Sequence, residues 1–153
     1  ELGGVRMLSF SHDGEILIAG GMADYDPNSA ATEGNMGLVG FSVQSGEQLF
    51  ATVLDGEKGY LQTAAIHPSG MLIAAGGGGT AGDTGVGTIC TLDLKQPENP
   101  VAHHLEMTVR ALSLTPDSQQ LLIAGMLKTA VAGQVEVWDW TGEPPAAPED
   151  EPS

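Results

Sequence analysis

Few residues in this chain have types and spacing that could do chemistry. In Asp24-Tyr25-Asp26-Pro27-Asn28, carboxylates and an amide alternate as they do at the opening of a calcium loop, where a hard cation takes several oxygen ligands at short spacing. The pattern then departs, with Ser29 where that loop wants glycine and Asn35 where it wants a bidentate glutamate. Asp24, Asp26 and Asn28 therefore read first as a solvated acidic turn and second as a calcium site. His103 and His104 are adjacent, so on a strand they point to opposite faces and cannot share a metal without irregular backbone. His12 and His67 sit in or beside turns, where a polar residue is ordinary. Cys90, the single cysteine, can form no intrachain disulfide; it lies in an apolar stretch with no basic neighbour and reads as a small core hydrophobe. The glycines at Gly76 to Gly79 and Gly82 to Gly87 match neither GxGxxG before a helix nor GxxxxGK[ST], and so cradle no phosphate. No catalytic residue, metal or cofactor is expected, and the chain reads as non-enzymatic.

Composition narrows the partners. The chain has 153 residues, the size of one domain. It carries a formal net charge of −15, which repels phosphate backbones and anionic lipid surfaces and favours a basic protein partner. No apolar run approaches the roughly 20 residues that cross a bilayer, and the opening Glu1-Leu2-Gly3-Gly4-Val5 lacks the basic start and apolar stretch of a signal peptide. The chain is expected to be soluble, with neither nucleic acid nor membrane as partner and with its compartment unspecified.

The elements that must position any site come from a pattern written three times: Val5 to Gly21, Leu61 to Gly77 and Val109 to Gly125. Each copy begins with spaced apolar residues, ending at Phe10, Ile66 and Leu114, as a half-buried strand demands. A polar turn follows: Ser11-His12-Asp13-Gly14, His67-Pro68-Ser69-Gly70 and Thr115-Pro116-Asp117-Ser118, the last expected to hold one extra residue. Then come the aliphatic bursts Ile16 to Gly20, Leu72 to Gly76 and Leu121 to Gly125, short enough and apolar enough for strands buried on both faces. A third strand follows each, at Leu38 to Val43, Ile89 to Leu94 and Val135 to Trp140, with Phe41, Leu92 and Trp138 equivalent. Trp138 is expected in the core and Trp140 over neighbouring surface. Fourth strands are expected at Glu47 to Leu54 and Val101 to Leu105. After Trp140 there is none, so the third unit lacks its outer strand.

These units resemble WD-repeat β-propeller blades along nearly the whole chain. The resemblance rests on the turns FSHDG, IHPSG and LTPDS, on Trp138-Asp139, and on Ser45-Gly46-Glu47 and Thr141-Gly142-Glu143. The repeat interval of roughly 50 residues exceeds the ~40 to 45 of WD repeats, and the excess lies between second and third strands. The family's Gly-His dipeptide reads Gly56-Glu57 in the second unit, so its network of hydrogen-bonded His, Ser/Thr, Asp and Trp is not expected. The resemblance implies an all-β fold: a partial propeller over residues 1–143, with blades at approximately 5–54, 61–105 and 109–140 and a disordered acidic, Pro-rich tail at 144–153. Propellers close with typically 4 to 8 blades, so three blades expose the flanks of the first and last. The missing initiator methionine favours a piece of a larger propeller over self-association.

The resemblance also implies a non-catalytic scaffold for protein interaction. Its expected surface is the cluster of long connections between second and third strands, Met22 to Gly37, Gly77 to Gly87 and Met126 to Gly133, which leave each blade at the same end. Asp24, Tyr25, Asp26, Glu33, Asp83 and Lys128 are the candidate partner-binding residues. The alternative is a propeller portion of a larger extracytoplasmic or redox enzyme whose catalytic domain lies outside this chain.

Overall fold

The fold is that of a computed structural model, which describes residues 2–24, 28, 34–77, 87–127 and 132–140. All regular structure among these residues is antiparallel β, in eleven strands and three sheets with no helix. The first sheet holds β1 (Leu2–Phe10), β2 (Ile16–Ala23), β3 (Asn35–Ser42) and β4 (Gln48–Lys58), each paired with the next in the chain. The second repeats the meander with β5 (Tyr60–Ile66), β6 (Met71–Gly77), β7 (Gly87–Asp93) and β8 (Val101–Leu105). The third has three strands, β9 (Met107–Leu114), β10 (Gln120–Leu127) and β11 (Gly133–Asp139).

Strand register fixes which residues are equivalent. Leu17, Leu72 and Leu121 each pair with the end of the preceding strand, at Phe10, Ile66 and Leu114, and with the following strand at Phe41, Leu92 and Trp138. The first burst is therefore Leu17 to Gly21, one residue later than its expected start at Ile16. The extra turn residue expected only in the third unit is present in the first as well. Ser11 N–H bonds the Ile16 carbonyl and Thr115 N–H that of Gln120, five residues on, whereas His67 N–H bonds Met71, four on. A side-chain bond closes each of the two longer turns, Ser11 Oγ to Asp13 Oδ1 and Thr115 Oγ1 to Asp117 Oδ1 at 2.6 Å. Hydrogen bonds from these hydroxyls and from the backbone N–H groups of Glu15 and Gln119 hold both carboxyls below their ordinary range.

Small residues end each burst for a steric reason. Gly21, Gly76 and Gly125 are equivalent and pair with Val5, Leu61 and Val109, where a bulge shifts the register of the first strand. A Cβ at these glycines would overlap the carbonyl oxygens of Gly4, Tyr60 and Thr108 respectively. The bulges also give Arg6, Gln62 and Arg110 the same place on successive inner strands. Arg6 lies 4.4 Å from the Tyr60 ring centroid, and Arg110 Nη1 donates to Gln62 Oε1 at 3.2 Å.

Two apolar cores lie between the sheets. Met7, Ile18, Met36, Leu38 and Leu54 of the first sheet pack on Leu61, Leu72, Ala74, Cys90 and Leu92 of the second. The opposite face of the second sheet, with Ile73, Ala75 and Ile89, packs on Met107, Val109, Leu121, Ile123 and Trp140 of the third. The assignment of the two tryptophans is corrected here. Residues two apart on a strand share a face, so both rings lie on the inner side of the third sheet; Trp140 is 2% exposed and Trp138 only half-buried. The burst in β10 also departs from expectation: its burial alternates, because among the described residues the third sheet packs through one face, against the second.

Gly76→Ala should destabilise the fold by about 1–3 kcal/mol, the usual cost of forcing atoms into a packed site. Urea unfolding followed by circular dichroism measures it, and an unchanged midpoint would show that the bulge relaxes around a methyl group.

Candidate functional site

Connectivity brings all long connections to one end of the sheets. The pairs Ala23↔Asn35, Gly77↔Gly87 and Met126↔Gly133 are the mouths of the β2–β3, β6–β7 and β10–β11 connections. The links between sheets, Gly59 after β4 and Glu106 after β8, reach the same end, since Lys58 pairs with Asn35 and Leu105 with Gly87. Gly59 N–H bonds the Gly34 carbonyl at 3.1 Å. The polar turns occupy the opposite end.

Of the candidate partner-binding residues, Asp24 is described: it is exposed, directly after β2, at φ 56°, a left-handed conformation that Asp tolerates better than most residues. Tyr25, Asp26, Glu33, Asp83 and Lys128 lie outside the described residues, as does the 144–153 tail. Asn28 is described and exposed, but Asp26, the middle carboxylate of the calcium-like pattern, is not. Among the described residues no three His, Cys, Asp or Glu side chains come close enough to hold a metal ion.

The residue that organises this end is Glu57, named in the sequence only as a departure from Gly-His. Gly56 at φ 81° turns the chain, and Glu57 then reaches from β4 across to the second sheet. Its carboxylate accepts from Thr88 Oγ1 at 2.8 Å and lies 2.8 and 3.0 Å from His104 Nε2. Beside it Lys58 Nζ donates to Asn35 Oδ1 at 2.8 Å. A groove of about 460 Å³ between β4 and the second sheet's outer edge is lined by Asp55, Glu57 and Glu98 together with Thr52, Leu54 and Pro100. Thr52 Oγ1 donates to the Pro97 carbonyl at 2.7 Å and so ties the two sheets at their outer edges. Three carboxylates along an open groove attract cationic side chains. The sequence showed only Gly56-Glu57 in place of Gly-His; the reach of Glu57 to the second sheet follows from the pairing of the strands.

His67 Nδ1 accepts from Ser69 N–H, and its Nε2 donates to the Ser118 carbonyl at 3.2 Å, joining one turn to the next. His12 is exposed in its turn. His103 and His104 lie on opposite faces of β8: His104 is exposed beside Glu57, whereas His103 is buried and its Nε2 has no partner. Cys90 is fully buried between the first two sheets, and desolvation, with Glu57 adding to it, pushes its thiol up to about 12.

Two predictions follow from this burial. A maleimide at pH 8 should leave native Cys90 unlabelled and modify it fully in denaturant, as mass spectrometry reads; rapid native labelling would mean that the first two sheets separate readily. Burial, reinforced by His104, holds the His103 imidazole below its ordinary value near 6.5. The unfolded chain thus takes up a proton that the native state resists, and stability falls as pH drops from about 6.5 through the depressed value. His103→Gln should flatten the decline in urea midpoint between pH 7 and 5; an unaltered slope would assign that decline to other groups.

Three stacked antiparallel meanders, with inner strands bulged alike, define a propeller-like all-β fold. Comparison with solved structures agrees. The chain is similar to a chain of the crystal structure of a mitotic checkpoint complex, with a TM-score of 0.63 at 18% identity over 92% of this chain and 38% of that one. A chain of Kuenenia stuttgartiensis hydrazine synthase matches at a TM-score of 0.44 and 10% identity, over 91% of this chain and 47% of that one, a likeness too loose to bear on fold or activity. The chain spans less than half the length of either. No family model matches the sequence, and no curated protein matches it. Among the described residues no helix is long and apolar enough to cross a membrane.

Proposed function

We propose that this chain is the recognition part of a non-catalytic, WD-repeat-like scaffold that holds a basic protein segment at the loop end of its blades. The observation that carries the reading is the convergence of three long connections on one end of the sheets, beside a groove lined by Asp55, Glu57 and Glu98, in a chain of net charge −15. Such a surface raises the local concentration of cationic side chains and steers their approach. The similar chain from a mitotic checkpoint complex comes from a protein assembly, which accords with a protein partner. The WD-like turns support the family reading by their mechanics as well as their letters, since Asp13 and Asp117 each cap a turn beginning with a hydroxyl residue.

The test uses an arginine-rich peptide at low ionic strength, read by fluorescence anisotropy. A variant carrying Asp24→Asn, Asp26→Asn and Glu33→Gln should weaken binding about tenfold, because three ion pairs at roughly 0.5 kcal/mol each amount to one decade. A control carrying Glu15→Gln, Glu47→Gln and Asp139→Asn removes as many charges from the turn end and should change binding little. Equal losses in both variants would reduce the attraction to net charge and remove the loop end from the proposal.

A further inference from the structure

Arginine occurs twice in this chain, at Arg6 and Arg110, and strand register puts both at one structural position. Each is the extra residue of a bulged inner strand, between the pairs Val5↔Gly21 and Met7↔Gly20 on β1 and between Val109↔Gly125 and Ala111↔Ala124 on β9. Gln62 is the corresponding residue of β5, between Leu61↔Gly76 and Thr63↔Ala75. The strand β5 stands between the other two, and Leu112 N–H of β9 bonds Thr63 Oγ1 of β5 at 3.3 Å. Both arginines reach toward β5, from opposite sides. Arg6 of the first sheet lies over the Tyr60 ring, 4.4 Å from its centroid, and Arg110 Nη1 of the third sheet donates to Gln62 Oε1 at 3.2 Å. Tyr60 and Gln62 are two residues apart, about 7 Å of extended chain. Two guanidinium groups from flanking sheets thus converge over one short piece of the middle sheet.

The contacts orient these groups and leave their charge in place. An aromatic face attracts a guanidinium without neutralising it, and the Gln62 amide fixes the direction of the Arg110 fork. Among the described residues no carboxylate forms an ion pair with Arg6, although the chain has twenty acidic residues to five basic ones. We infer that Arg6 and Arg110 form an anion site over β5 that takes a phosphate monoester group. A carboxylate presents two oxygens in one plane and matches a single guanidinium fork. Two forks arriving from opposite sides fit a ligand with oxygens in several directions and a charge near −2, as a phosphate monoester has. The net charge of −15 opposes long anionic polymers, but charge farther away than about 10 Å is screened at ordinary ionic strength. A compact group responds to the two guanidiniums beside it. Tyr60, Gln62 and both arginines lie on three consecutive inner strands of this chain, so the site needs neither a further blade nor a second copy. Capture of a basic segment uses carboxylates instead, and either reading can fail without the other.

NMR of the isotopically labelled chain tests the inference, because two arginines give two Nε–H signals, which Arg6→Lys and Arg110→Lys assign. Titration with inorganic phosphate at about pH 7.5, where the dianion dominates, is run at constant ionic strength with sodium chloride as balance. Both signals should move along one saturable curve. Arg6→Gln and Arg110→Gln should each weaken binding about tenfold, through loss of a charge-assisted contact. The two lysine variants keep the charge but lose the fork, and should weaken it as well; they carry the test should a glutamine variant unfold. Lys95→Gln removes a positive charge at the turn end and should change binding little. A short phosphoserine peptide that binds more tightly than inorganic phosphate assigns the group to a protein side chain, and equal affinity assigns it to a free phosphate ester. Signals that drift without saturating, or one that moves alone, overturn the site. Acetate matching phosphate, or a loss in Lys95→Gln equal to that of the arginine variants, overturns it too.

Discussion

The structure depends on one contact: the aliphatic face of one sheet pressed against the aliphatic face of the next. A sheet apolar on both sides stays dry only between two neighbours, and the second sheet is the one so placed. Its β6 is buried almost throughout and β7 nearly so. The same kind of burst in β10 alternates between buried and open, although its residues are no less apolar. Ile73 is fully buried and Leu122, its equivalent, is more than a third exposed. Full burial of such a side chain contributes roughly 1.5–3 kcal/mol, so a flanking sheet realises only part of what the middle sheet does. Place in the stack, more than residue type, sets the stability of each repeat, as in other architectures whose units touch only their neighbours.

That contact governs the backbone as well. Sheets stack by their inner strands, and those strands carry an extra residue at Arg6, Gln62 and Arg110 opposite the glycine that ends each burst. The bulge strengthens local twist, and the missing Cβ lets the first strand's carbonyl come close. Polar links then tie neighbouring sheets at both ends. His67 bonds the Ser118 carbonyl at the turn end, and Glu57 spans to Thr88 and His104 at the loop end. The apolar contact supplies the attraction between sheets; these polar links hold their relative position.

Most of this fold was legible in the sequence because it obeys local rules. Alternation gave the first strands, Asp, Ser, Pro and Gly gave the turns, and the bursts gave the buried second strands. What was not legible depends on neighbours. The shift of the first burst by one residue shows only in pairing, because Ile16 and Leu17 are alike in type. Burial of Trp140 over Trp138 follows from the shared face of the two rings and from the reach of the second sheet. The bridge from Glu57 to Thr88 joins residues 31 apart in sequence, and no local pattern announces it. The loop residues were chosen by charge and connectivity, which locate an end of the molecule but not a geometry.

The same packing takes a thiol and an imidazole away from water. Cys90, the single cysteine, lies in the core between the first two sheets, where desolvation pushes its thiol up to about 12. His103 has the range for proton transfer, but it is buried, and the same loss of water holds its imidazole below the ordinary value. Activating either would require a charged partner inside an apolar interface, at the cost of the contact on which the stack depends. Exposed carboxylates face no such conflict: Asp24 is exposed at the loop end, and Asp55 and Glu98 line an open groove along the outer edge of the sheets. Glu57 belongs to both regimes, since one carboxylate helps to position two sheets and lines the groove between them. A cationic segment drawn to that groove would therefore meet a charge already fixed by Thr88, with its orientation set in advance and little entropy left to lose.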